Sequence, residues 1–60
     1  MDEFRVEVGR RAHELSVTHG WTALSYAERM AAEAADNNDL PTSAFWTAVA
    51  ASLRPRQNSN

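Results

Sequence analysis

The segment Phe45-Trp46-Thr47-Ala48-Val49-Ala50-Ala51-Ser52-Leu53 constrains this chain most. Its apolar residues recur at helical spacing, and it holds two of the five aromatic residues. In a chain of 60 residues it must dock on whatever precedes it. A domain of this size buries only about 60% of the surface its unfolded chain exposes. Small domains usually add disulfides, a metal or a partner chain. With no cysteine, disulfides and thiolate zinc sites are excluded. Tight helix packing, self-association or a partner remains.

The periodicity predicts an all-α, compact three-helix domain over residues 1–54, with helices at about 3–18, 23–36 and 40–53 and a frayed polar tail over 55–60. In the first helix Asp2 is the expected N-cap, and Phe4, Val8, Ala12 and Leu15 form one stripe. Gly20 supplies a left-handed stop. In the second, Thr22 is the expected N-cap, with Trp21 and Tyr26 as a hydrophobic staple covering one end of the core. Its inward stripe is Ala23, Ala27, Met30 and Ala34, widened by Leu24 and Ala31. Alanine favours the helix but buries little area.

Asn37-Asn38 ends the second helix, because Asn tolerates the left-handed conformation. Asp39 should cap the third helix, with Pro41 tolerated in its first turn and Pro55 just past its end. The expected core is Phe4, Val8, Leu15, Leu24, Met30, Phe45, Trp46, Val49 and Leu53. The linkers are short, so consecutive helices should be antiparallel neighbours or sharply crossed pairs.

The segment from Ala23 to Leu53 carries Tyr26-Ala27-Glu28-Arg29-Met30, a turn ending in Asp39, and then Trp46 and Val49. In these residues it resembles a family of short, uncharacterised bacterial proteins. That family usually has Gly-Asp at the turn, where this chain has Asn38-Asp39; Asn can take the same left-handed role. The resemblance implies a helix–turn–helix hairpin and brings no activity with it.

Several function classes lose ground on composition and spacing. No apolar run approaches the roughly 18 residues of a membrane span. Met1-Asp2-Glu3-Phe4-Arg5 is not the start of a signal peptide, so the expected compartment is the cytoplasm. The net charge is −2, with six Arg and no Lys, and such a domain lacks the long-range field that gathers nucleic acid. The second and third helices could form a helix-turn-helix, making a small nucleic-acid-associated regulator the alternative reading. Its reading helix would have no Arg, Lys, Asn or Gln for bidentate base contacts.

His13 and His19 are six apart and lie on different helix faces, so no metal or other cofactor is expected. Glu7 and Arg11 have the spacing of a solvated i, i+4 ion pair. No nucleophile motif or phosphate loop is present, and the chain is not expected to be an enzyme.

The positive clues are apolar residues that the core has no room for. Val6, His13 and Val17 fall in a narrow sector almost opposite Phe4 and Leu15, with Gly9 close by. A mid-helix glycine costs about 1 kcal/mol against alanine, a cost that close approach of a partner would justify. Ala44, Ala48 and Ala51 line a second small-residue side of the third helix, which faces either a partner or another helix of the same chain. The leading expectation is a small protein-interaction module. It would self-associate, as a homodimer, or dock an apolar helix face on a protein partner, through Val6, Gly9, His13, Val17, Ala44 and Ala48. A further alternative is an accessory inhibitor of a larger protein machine.

Overall fold

A computed structural model describes residues 3–54. The cap expected at Asp2, the stop at Pro55 and the tail lie outside the described residues. Within them the chain is all-α, with no strand. The helices are α1 (Glu3–His19), α2 (Ala23–Asp36) and α3 (Leu40–Leu53).

The expected loop between the first two helices is absent. Gly20–Thr22 forms a 3-10 turn, so the chain stays helical from Glu3 to Asp36 as one long, bent arm. Counted as unbroken helical segments, the described residues make two rather than three distinct helices. Gly20 does take the left-handed conformation, with φ 61°. The turn stays helical around it because the Ala23 amide donates to the Gly20 carbonyl. Thr22 does not cap α2; its hydroxyl donates back to the His19 carbonyl at 2.8 Å. The true break comes at Asn37–Asp39. Asn38 has φ 63°, and the Asp39 amide donates to the Ala34 carbonyl at 2.8 Å. The Asp39 carboxylate accepts from the Thr42 amide at 3.4 Å, the N-cap expected from the sequence, and Pro41 sits in the first turn.

α3 lies in the crook of the bent arm. It packs most extensively on α2 and next on α1, whereas the two limbs of the arm touch each other least. Two side chains pin it to α2: the Ser43 hydroxyl donates to the Ala31 carbonyl at 3.1 Å, and Arg54 meets Glu28 at 3.0 Å. The buried residues are Val8, Ala12, Leu15, Ala23, Ala27, Ala34, Val49 and Ala50. Five of the eight are alanines, so the helices approach closely while each contact buries little apolar area. Val49 is the largest fully buried side chain. Leu24, Tyr26, Phe45, Trp46, Ala48 and Leu53 pack around this centre, half-buried.

Three core expectations are corrected. Phe4 is 56% exposed: it stands in the first turn of α1, and its ring meets that of Phe45 edge-to-face. Met30 is half-buried and, unlike Leu24, Phe45, Trp46 and Leu53, does not belong to the cluster packed on the buried centre. Trp21 is 93% exposed and staples nothing, because the 3-10 turn throws it outward. The Glu7–Arg11 pair is also replaced by two i, i+3 pairs, Glu7–Arg10 at 3.9 Å and Arg11–Glu14 at 3.1 Å. Among the described residues no helix is long and apolar enough to cross a membrane.

Candidate functional site

Val8, Ala12 and Leu15 are buried, which fixes the inward side of α1. At about 100° per residue, Val6, His13 and Val17 then project almost directly away from the core. Their exposure agrees: Val6 is 59% and Val17 72% exposed, and His13 is exposed as well. The three form a stripe along the outer face of α1. Its apolar ends lie eleven residues apart, about 16 Å at 1.5 Å per residue.

Gly9 lies at the border of this stripe. A Cβ placed there would meet nothing within 4 Å, so no other part of the described chain uses the missing side chain. The opening faces outward.

On the other side of Gly9 runs an open groove between α1 and α3. Phe4, Arg5, Val8 and Gly9 line it from α1, and Ala48, Ala51 and Ser52 from α3. It holds about 730 Å³, within the range of ligand and peptide clefts. Its lining is apolar except for the Arg5 guanidinium and the Ser52 hydroxyl. Gly9 therefore separates two apolar surfaces, the exposed stripe and the groove, with nothing larger than a hydrogen.

The candidate residues thus fall into three groups. Gly9 and Ala48 meet at the groove; Val6, His13 and Val17 stand around the helix from it. Ala44 is exposed and lies outside both. Ala48 is half-buried: it packs on the core and forms part of the groove wall, because α3 turns that side toward α1. Phe4, Ala51 and Ser52 belong to the groove as well. The stripe position of Phe4 points it to the interior, but a stripe gives direction without depth.

A continuous chain of rings crosses the molecule near this surface. Phe4 meets Phe45 with centroids 6.2 Å apart and planes at 83°. Phe45 meets Trp46 at 5.5 Å, and Trp46 meets Tyr26 at 5.9 Å, both near-perpendicular. Tyr26 stacks on His19 at 4.6 Å and 17°. Edge-to-face contacts set a positive ring edge against a negative ring face, worth about 0.5–1.5 kcal/mol each beyond burial. The chain ties both ends of α1 to α2 and α3 and holds the groove wall at Phe4.

Among the described residues no group of three or more histidines and carboxylates is placed to hold a metal ion. No family model, curated protein or solved structure matches the chain.

Proposed function

We propose that this chain is a small helical protein-interaction module that acts by self-association, through the outer face of α1 and the groove beside it. The observation that carries the reading is Gly9. A mid-helix glycine that nothing among the described residues requires stands between exposed valines and an apolar groove. A second copy crossing there could press its backbone close and cover Val6 and Val17 together with the groove.

The thin core supports the same reading. With alanine supplying most of the buried residues and no disulfide available, covering more apolar surface with another copy is a direct route to stability. A two-fold arrangement lets one patch serve both copies. A standard interface of about 800 Å² per partner would cover about a sixth of the chain's 4677 Å² surface. The cysteine-free composition suits a reducing compartment, and we take the cytoplasm as its setting.

Sedimentation velocity over a concentration series tests this, with Val17→Asp alongside. Val17 is exposed in the single chain, so the substitution should leave the helix content unchanged and prevent association. Arg11→Gln should leave association intact, since Arg11 is exposed and projects well around α1 from the Val6–Val17 stripe. A chain that stays strictly monomeric at high micromolar concentration would refute self-association.

A further inference from the structure

The bend at Gly20 does more than turn the chain. It lays the end of α1 against the first two turns of α2, so that His19 stacks on Tyr26. Thr22, Ser25, Tyr26 and Arg29 follow one another at i, i+3, i+4 and i+7, a single face of the helix. With Ala23, Ala27 and Ala34 buried, the Ser25 and Arg29 side of α2 points outward. His19, Thr22, Ser25, Tyr26 and Arg29 together line a notch of about 340 Å³.

Its chemistry is one-sided. The lining offers a guanidinium, an imidazole and three hydroxyls, and no carboxylate. The Thr22 hydroxyl is committed to the His19 carbonyl, which holds the bend. The Arg29 guanidinium is the telling group. Arg10, Arg11 and Arg54 each hold a carboxylate, at 3.9, 3.1 and 3.0 Å. Arg29 holds none among the described residues, although Glu33 lies one turn further along α2 and Glu28 is next in sequence. Glu28 is taken by Arg54. A helical side chain leans toward the N-terminus of its helix, which carries the guanidinium toward Ser25 and away from Glu33.

We propose that this notch binds an oxyanion, the phosphate or carboxylate group of a small ligand, with Arg29 as the charged anchor and Ser25 and His19 as supporting donors. The planar guanidinium presents a fork of N–H groups that matches two oxygens of either anion. Ser25 adds a hydroxyl, and the imidazole carries an N–H even when neutral. The notch exceeds the size of the anion alone, leaving room for a small substituent along the His19–Tyr26 wall. This site is separate from the α1 surface proposed for self-association, and neither requires the other.

The test is a two-dimensional NMR titration with sodium phosphate and, separately, sodium acetate, at ionic strength held constant with sodium chloride. Wild type, Arg29→Gln and Arg10→Gln are compared. Arg29 is exposed and holds no carboxylate among the described residues, so its replacement should leave the helix content unchanged. The expected result is a saturable shift at Ser25 and Arg29 in the millimolar range, weakened about tenfold in Arg29→Gln, as for the loss of a charged hydrogen bond. Arg10→Gln should titrate like wild type. Saturation by phosphate alone, by acetate alone or by both identifies the oxyanion class and supports the site. No saturable shift with either anion overturns the proposal. So does an equal titration in Arg29→Gln, or a loss in Arg10→Gln as large as in Arg29→Gln, which would mark a diffuse charge effect.

Discussion

Gly9→Ala should stabilise the single chain and weaken its self-association. Gly9 lies in the interior of α1, and its φ is not positive. An added Cβ meets nothing within 4 Å, so the methyl group brings no clash. The gain is then the helix-interior difference between Gly and Ala, about 0.5–1 kcal/mol, much of it from the reduced freedom of the unfolded chain. For a domain of this size 1 kcal/mol moves Tm by about 4–8 °C, so the expected rise is roughly 2–8 °C. Far-UV circular dichroism melts at low concentration, where the proposed self-association is disfavoured, read this directly. At high concentration the same methyl group stands where a second copy would press, and sedimentation should show weaker association than wild type. Lower stability in the dilute melt would refute the structural argument, because it would mean that something in the chain needs the bare backbone at position 9. Higher stability with unchanged association would leave the fold argument standing and remove Gly9 from the interface.

Two further substitutions probe the fold. Val49→Ala truncates the largest fully buried side chain, at 0% exposure. Two lost carbons at about 0.8 kcal/mol each, plus a cavity term, should cost roughly 2–3 kcal/mol. Against a total of about 3–9 kcal/mol for a chain of this length, urea unfolding should show a clear drop in midpoint; an unchanged midpoint would contradict the core described above. Gly20→Ala forces a side chain into a left-handed backbone, although a Cβ there has open space. The cost is therefore conformational, about 1–2 kcal/mol, and Gly20→Asn should recover part of it in thermal melts.

The features most legible in the sequence are those set by a single residue's backbone preference. Gly20 and Asn38 both take the left-handed conformation, and Asp39 caps α3 with Pro41 in its first turn. What was missed depends on neighbours. The N-cap expected at Thr22 and the staple expected at Trp21 both presuppose a chain that leaves helical geometry before α2. The 3-10 turn keeps it helical, so the Thr22 hydroxyl turns back to His19 and Trp21 points to solvent. Tyr26, released from the staple, finds His19 and Trp46 instead.

Phe4 shows the limit of a helical wheel. Its direction is right, but at the start of α1 it stays 56% exposed. Ala50 is buried beside Val49 although no sequence expectation placed it in the core; where helices approach closely, alanine is the side chain that fits. The candidate surface was legible where it depends on one helix alone, at Val6, Gly9, His13 and Val17. The groove was not, because it exists only once α3 has settled against α1.

The two tryptophans report on different things. Trp21 stands almost wholly in water, so its emission should be red-shifted and open to collisional quenchers such as iodide. Trp46 touches rings from both its neighbours in the chain of aromatics, Tyr26 on α2 and Phe45 on α3, and through Phe45 it is linked to the start of α1. Excitation energy absorbed by Tyr26 has an acceptor one ring away only while α3 is seated. A Trp21→Phe chain would thus carry a single tryptophan, Trp46, whose tyrosine-sensitised emission signals the docking of α3, with no dye attached.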